Sequence, residues 1–147
     1  MEWHDGEFCV TTERERISVD TVYRFLTSEA YWSKGIPRAT VERSLDNSLC
    51  FSLFRGGDQI GFARVISDHA TIAYLGDVFV LAEYRGRGLS KWLMKCVMSH
   101  PDLQGLRRWI LLTGDAHGLY ARSGFTPLAE PHRWMQRHDP TVYLPKD

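Results

Sequence analysis

Residues 74–101 place three patterns in one order: an apolar, strand-like run at 74–80, a glycine-rich segment at 85–90 and an amphipathic helix that Pro101 ends. The helix is predicted from apolar residues spaced i, i+3, i+4, i+7 and i+8, namely Leu89, Trp92, Leu93, Cys96 and Val97. The chain must therefore form a strand, a short loop and a helix that begins beside the end of that strand.

The glycine-rich segment has the chemistry of an anion-binding loop. A helix N-terminus leaves backbone N–H groups unpaired and carries a partial positive charge. Gly86 and Gly88 lack a Cβ, so a phosphate can approach the backbone, while Arg85 and Arg87 add charged donors. Taken alone, the loop is also compatible with an ordinary strand-to-helix turn. Lys91 stands where a dinucleotide-binding loop needs its third glycine, and the Gly-Lys-Ser/Thr ending of nucleoside-triphosphate loops is missing from this segment.

Two motifs resemble those of a known family. Arg85-x-x-Gly88-x-Ser90 is similar to the Gln/Arg-x-x-Gly-x-Gly/Ala motif of the GNAT superfamily of acetyl-CoA-dependent N-acetyltransferases, with Ser90 as a departure. Residues 119–125 resemble the later Tyr-x-x-x-Gly-Phe element of that family and supply Tyr120. Two motifs in the right order point to the family more strongly than either motif alone.

The resemblance implies a fold and a co-substrate. The fold is α/β in the mixed (α+β) sense: residues 1–147 form a single domain whose central, mixed, mostly antiparallel twisted sheet is flanked by helices, with two strands splayed around the acetyl-CoA site. The pantetheine arm is expected to run along the backbone like an added strand. The implied coenzyme-binding residues are Val78, Phe79, Val80, Arg85, Gly86, Arg87, Gly88, Leu89, Ser90 and Thr113.

The resemblance also assigns catalytic roles. Tyr120 matches the family tyrosine that gives its phenolic proton to the departing thiolate, and a backbone N–H of Phe79 or Val80 would polarise the thioester oxygen. Asp77 is the leading candidate for the general base, because a charge in an otherwise apolar strand needs a reason. Its alternative is a strand-end carboxylate paired with an arginine or a backbone donor. Asp115 and His117 are weaker candidates for the base.

The acceptor pocket of the family is built largely by the first helix-loop-helix and neighbouring strand ends. The matching residues here are Tyr31, Trp32 and Lys34, with Phe54 and Trp3 as further candidates. Aromatic walls suit a small amine, and equally suit a helix hairpin packed on its sheet. The predicted function is acetyl transfer from acetyl-CoA to a primary amine of a small molecule by direct attack. The alternatives are a protein Nα- or Nε-acetyltransferase and a non-catalytic acetyl-CoA-binding regulatory module.

The composition narrows the classes of molecule that the protein is expected to bind. Lys plus Arg and Asp plus Glu are both 18, so no basic excess points to nucleic acid or to an anionic membrane. Cys9, Cys50 and Cys96 are too scattered for a disulfide framework, and the histidines lack metal-ligand spacing, so no metal is expected. Neither a leader nor a membrane-length apolar run is recognisable, which favours a cytoplasmic protein.

Periodicity and turn residues predict the remaining elements. The predicted strands are residues 7–12, 49–55, 59–67, 71–80, 108–113 and 133–136. The predicted helices are residues 19–28, 38–44, 89–100 and 116–123. Strand 108–113 is expected parallel to 71–80 because a helix connects them. Strand 133–136 is expected at the edge of the sheet, where Trp134 and Met135 could join a homodimer, although a monomer is equally consistent.

Overall fold

The computed structural model describes residues 1–146 and contains one six-stranded sheet. The strands are β1 (Glu2–Asp5), β2 (Phe8–Thr11), β3 (Leu49–Arg55), β4 (Asp58–Ser67), β5 (Ile72–Val80) and β6 (Arg108–Leu111). Their order in space is their order in the chain, and all neighbours are antiparallel except β5 and β6, which are parallel. The predicted mixed, mostly antiparallel sheet is confirmed.

Four α-helices flank the sheet within residues 1–146. They are α1 (Val19–Arg24), α2 (Arg38–Asp46), α3 (Leu89–Ser99) and α4 (His117–Ala121). Helix α1 continues into a π-helical turn at Phe25–Glu29, and Ser18 caps its start by accepting a hydrogen bond from the Thr21 N–H at 3.3 Å. No helix within residues 1–146 has the length and apolarity needed to cross a membrane.

The two faces of the sheet carry separate cores. On the α3 face, Leu93 and Val97 of α3 pack against strand residues such as Phe51 and Val65. On the α1–α2 face, Val22 and Val41 belong to a second cluster, which also contains residues that β3, β4 and β5 contribute to this face. Each strand can supply both cores because successive side chains point to opposite faces.

The N-terminal region differs from the prediction of a single strand at 7–12. Residues 2–11 form a hairpin in which β1 pairs with β2, and Gly6 takes the turn at a φ of +58°. The sequence Glu2-Trp3-His4-Asp5 lacks a run of β-branched residues, so it gives no strand signal by itself. Pairing with β2 supplies the backbone hydrogen bonds that make it a strand.

The predicted edge strand at 133–136 is wrong. Pro131–Arg133 is a short 3-10 turn, no strand follows β6 within the described chain, and β6 is the outer strand of the sheet. Pro131 begins the turn, since its ring fixes φ near the helical value, and the turn includes Arg133, the first residue of the predicted strand. Met135 is 96% exposed. The expected homodimer contact through an edge strand at 133–136 therefore has no strand to form it.

Candidate active site

Strands β5 and β6 diverge. Their pairing runs from Ile72 opposite Arg108 to Leu75 opposite Leu111, where β6 ends, whereas β5 continues to Val80. Residues 76–80 consequently have no strand partner on that side within the described chain. The predicted splay is present, and it exposes the β5 backbone that the sequence assigns to the coenzyme.

A β-bulge lies where the divergence begins. Gly76 is paired with Arg64 and Phe79 with Phe62, so residues 77 and 78 of β5 both face the single Ala63 of β4. Asp77 has a φ of +52°, in the left-handed region that non-glycine residues seldom occupy. The bulge turns the Asp77 side chain toward the α1–α2 face, where it contacts the loop between these helices.

Both carboxylate oxygens of Asp77 have partners. Arg64 Nε donates to Oδ2 at 2.8 Å and Trp32 Nε1 donates to Oδ1 at 2.9 Å. The Asp77 and Arg64 side chains are only 11% and 17% exposed, and Arg64 Nη1 also donates to Ser48 Oγ at 3.0 Å. The sequence offered two interpretations of Asp77, and the structure contains the arginine pairing of the second.

Arg64 is the residue that the sequence analysis missed. It is the one charged side chain in the apolar run 60–66 of β4, and a charge in such a run indicates a buried partner. The same signal in β5 indicates a partner for Asp77. The identity of the partner was not readable, because Arg64 and Asp77 are brought together only by the register of β4 and β5.

Aromatic rings form a continuous series on the α1–α2 face. Phe62 contacts Phe79 with ring centroids 5.9 Å apart, Phe79 stacks on Phe25 at 4.0 Å, Phe25 contacts Trp32 at 6.4 Å, and Trp32 meets Tyr31 edge-on at 5.0 Å. Burial decreases along this series, from Phe62 at 0% exposure to Tyr31 at 60%. The series leads from the interior of the sheet to the surface beside the gap.

Tyr31 crosses to the other side of the gap. Its hydroxyl accepts a hydrogen bond from the backbone N–H of Gly114, in the loop that follows β6, at 2.9 Å. A Cβ at position 114 would lie 2.8 Å from this hydroxyl, so glycine is what permits the close approach. The loop of the first helix pair and the loop after β6 are thus joined across the splay.

Tyr120 lies in α4 and is 8% exposed. Burial is the main cause that raises the pKa of Tyr120 to about 12, and the nearby Asp115 carboxylate and Tyr31 phenol add to the effect. The Tyr120 ring meets Phe125 edge-on, with ring centroids 6.1 Å apart. The phenol keeps its proton throughout the physiological pH range.

Thr113 and Asp115 lie in the loop before α4, and His117 is the first residue of that helix. Thr113 Oγ1 accepts from the N–H of Ala116 at 3.0 Å and from that of Asp115 at 3.4 Å, so the hydroxyl orders the entry to α4. Asp115 and His117 are both exposed. Trp3, expected near the acceptor pocket, packs instead against Phe51 and His100 on the α3 face, which is a correction.

The glycine-rich loop has the geometry that an anion-binding loop needs. Gly86 and Gly88 have φ of +81° and +75°, and a Cβ at either position would meet nothing within 4 Å, so the space over both is open. Gly88 directly precedes α3, whose first N–H groups have no intrahelical partner. Arg85 Nε donates to the Val80 carbonyl at 2.9 Å, which ties the loop to the end of β5.

A cavity of about 380 Å³ opens on the α1–α2 face near the end of β5. It is lined by Thr21, Arg24, Phe25, Ser28, Glu29 and Leu81. A larger cavity of about 560 Å³ lies along the outer side of β6, between Trp109 and Trp134, and includes none of the residues predicted from the sequence to form the site. The residues predicted to form the site therefore lie outside the larger cavity.

Comparisons with known proteins agree with this geometry. The family model described as acetyltransferase (GNAT) family matches residues 19–125. A candidate acetyltransferase from Gibberella zeae is 30% identical, over 82% of this chain and 80% of its own length. The crystal structure of a GNAT-family protein from Xanthomonas campestris pv. campestris has a TM-score of 0.93 and 54% identity, covering 97% of this chain and 100% of that chain.

A more distant structure supports the fold alone. A candidate acetyltransferase from Clostridium acetobutylicum, solved with acetyl-CoA, has a TM-score of 0.64 and 16% identity, covering 89% of this chain and 94% of that chain.

Proposed function

The chain belongs to the GNAT acetyltransferase family, and we propose that it transfers the acetyl group of acetyl-CoA directly to a primary amine of a small molecule. The observation that carries this proposal is the divergence of β5 from β6, with the glycine-rich loop at the end of β5 and Tyr120 in the helix that follows β6. On this proposal, one gap would bring together a strand backbone without a partner on that side, an anion-binding loop and a phenol.

The coenzyme side is supported by backbone geometry. The unpaired N–H groups at the start of α3 and the guanidinium groups of Arg85 and Arg87 would bind the pyrophosphate. The open space over Gly86 and Gly88 lets a phosphate approach without steric conflict. Residues 78–80 would bind the pantetheine arm, and the N–H of Phe79 or Val80 would donate to the thioester oxygen as charge develops on it. Leu89, Ser90 and Thr113 are also proposed to contact the coenzyme.

Tyr120 is proposed to act on the leaving sulfur. Because the pKa of Tyr120 is raised to about 12, its phenol is protonated and can donate. A thiol has an ordinary pKa near ~8.5, so complete transfer from the phenol to a free thiolate is uphill. The phenol therefore contributes chiefly a hydrogen bond that strengthens as negative charge forms on the sulfur, and this strengthening lowers the barrier.

The role of Asp77 as general base stays a prediction. Both carboxylate oxygens of Asp77 already accept hydrogen bonds, from Arg64 and Trp32, so an amine would have to share or displace one of these partners. Water in the gap, with Asp115 or His117 at its exposed side, offers the amine proton a second route.

A small acceptor is favoured over an extended peptide. The hydrogen bond from Gly114 to the Tyr31 hydroxyl closes part of the gap on the α1–α2 face, where a peptide substrate would need an open groove. We further propose that the protein acts in the cytoplasm, where its three free cysteines stay reduced.

The test is calorimetric titration of acetyl-CoA into the wild type and into the Arg85→Ala/Gly88→Glu variant. We expect a dissociation constant in the micromolar range for the wild type and binding about 100-fold weaker in the variant, because a charged donor is lost and a carboxylate is placed at the loop. Thiol release is then followed across a panel of amines. Equal affinity in both proteins would refute the coenzyme site, and binding without turnover of any amine would favour the regulatory module.

A matched control is Gly105→Glu/Arg107→Ala. Gly105 also has a positive φ, +73°, lies beyond the opposite end of α3, and has nothing within 4 Å of the point that a Cβ would occupy. This control has the same change in charge and in backbone strain as the test variant, and it should bind acetyl-CoA like the wild type.

A further inference from the structure

The network of Asp77, Arg64 and Trp32 has a function that the GNAT assignment does not specify. We infer that Asp77 and Arg64 are positioning residues that fix the Trp32 ring, and that Trp32 and Tyr31 determine which amine the site accepts. This inference rests on the proposed acetyl transfer, since it assigns the acceptor side of that reaction.

The backbone conformation and the hydrogen bonds of Asp77 suit a residue that positions the side chains around it. Its backbone adopts a φ of +52°, which costs free energy for a side chain with a Cβ, and the bulge around it interrupts the ladder to β4. The carboxylate gains two charge-assisted or polar hydrogen bonds in return, one from a buried guanidinium and one from an indole. Arg64 is held by Ser48 at its other end, so the carboxylate is fixed from the strand side.

Trp32 depends on this carboxylate for its orientation. The ring is 45% exposed, and its neighbours Phe25 and Tyr31 contact it at centroid distances of 6.4 and 5.0 Å. The backbone beneath it is well anchored, because Ser33 Oγ donates to the Leu26 carbonyl at 2.7 Å. With the backbone fixed, the hydrogen bond from Nε1 to Asp77 selects one rotamer of the exposed indole.

Tyr31 is fixed by a separate contact. Its hydroxyl accepts from the Gly114 N–H, in a loop that is 83 residues away in the sequence. The two rings stand at 88° to each other, so an indole and a phenol at right angles line the gap between β5 and the loop after β6. Such surfaces pack against carbon chains and rings and attract an ammonium group. The structure assigns to the site a primary amine carried by an apolar or aromatic carbon skeleton.

The first test follows indole N–H signals by ¹⁵N–¹H NMR. The chain has five tryptophans, and the Trp32 signal is the one missing from Trp32→Phe. We expect its exchange with water to be about tenfold slower than that of Trp134, which has a similar exposure of 38%, and to lose this protection in Asp77→Ala. Unchanged exchange in Asp77→Ala would overturn the positioning role.

The same spectra locate the acceptor side. Acetyl-CoA and CoA differ only by the acetyl group, so the difference between their titrations reports what lies beside it. We expect the Trp32 signal to differ between the two ligands and the Trp3 signal on the α3 face to be the same. If the amides of the glycine-rich loop shift and Trp32 does not, the inference fails while the proposed function stands. If neither ligand shifts any signal, the proposed function fails.

The second test uses 2-phenylethylamine as the probe acceptor, with Asp77→Asn and Trp32→Phe. Asp77→Asn keeps the size and shape of the side chain while removing its charge, and Trp32→Phe keeps an aromatic ring while removing the indole donor. A positioning role predicts that each variant raises KM about tenfold with kcat little changed, and that the double variant is no worse than the poorer single one. A loss of kcat in Asp77→Asn at saturating amine would make Asp77 the general base. Failure of the wild type to acetylate this probe while binding acetyl-CoA would overturn the assigned class of amine.

Discussion

Two segments with left-handed backbone flank the same gap, and they are built in opposite ways. At the glycine-rich loop, Gly86 and Gly88 adopt positive φ without a Cβ, and the space around them is empty. At the bulge, Asp77 adopts a positive φ with a Cβ and is held by Arg64 and Trp32. One segment leaves its backbone donors free, whereas the other has its side chain fully engaged.

The difference follows from what each segment must do. A loop that binds phosphate needs unpaired N–H groups and room, both of which glycine supplies locally. A wall that selects an acceptor needs side chains in fixed orientations, which only contacts from other elements can supply. If this contrast is right, substitutions at the bulge should affect folding stability strongly, and substitutions at the loop should chiefly affect ligand binding.

The largest expected effect is that of Arg64→Met on stability. Removing the guanidinium leaves a largely buried carboxylate without its charged partner, so the free energy of unfolding should fall by about 3 kcal/mol, measured by urea denaturation. The control is Arg38→Met, which removes an arginine from exposed pairs with Asp20 and Glu42 and should cost less than about 1 kcal/mol. Equal losses in both variants would show that the Asp77 pair is no stronger than a surface contact.

The next largest effect is expected at Tyr120, which is proposed to act on the leaving sulfur rather than in either segment. Tyr120→Phe should lower kcat about 100-fold without weakening acetyl-CoA binding, because the ring is kept and only the donor is lost. Tyr23→Phe, on the outer side of α1 beside Arg38, should leave kcat unchanged.

The wild-type pH profile tests the same assignment. Since the pKa of Tyr120 is raised to about 12, the phenol holds its proton to a higher pH than an ordinary tyrosine, so a descending limb should lie above pH ~10. The rate should rise as the amine loses its proton and show no decline up to that pH. A decline centred near pH ~9 that disappears in Tyr120→Phe would contradict this assignment.

The smallest effect is expected at the loop itself. Gly88→Ala places a Cβ at a φ of +75° but meets no neighbour, so the free energy of unfolding should fall by only about 1 kcal/mol. Acetyl-CoA affinity, measured by calorimetry, should fall further, because the methyl group occupies the space left for phosphate. Gly57→Ala is the control, since Gly57 is equally open without a positive φ and should affect neither quantity. A loss of stability larger than that in Arg64→Met would reverse the contrast between loop and bulge.

Much of the fold could be predicted because its signals are local. The cap of α1 at Ser18, the hairpin turn between β3 and β4 and the amphipathic helix α3 each depend on residues close together in the chain. The failures lie where local signals are weak or misleading. Strand β1 exists only through its pairing with β2, and residues 133–136 have aromatic and polar residues in a strand-like order but no neighbouring strand to pair with in the described part of the chain.

The proposed coenzyme loop could be recognised without the fold, because six consecutive residues, Arg85 to Ser90, supply what phosphate binding needs: glycines without a Cβ, the start of a helix and guanidinium groups. The partners of the Asp77 carboxylate, in contrast, could be identified only from the folded chain. Its partners lie 13 and 45 positions away, and the contact depends on the register of β4, the bulge in β5 and the path of the loop after α1. Backbone geometry is set by neighbours in the chain, whereas the pairing of buried charges is set by neighbours in space.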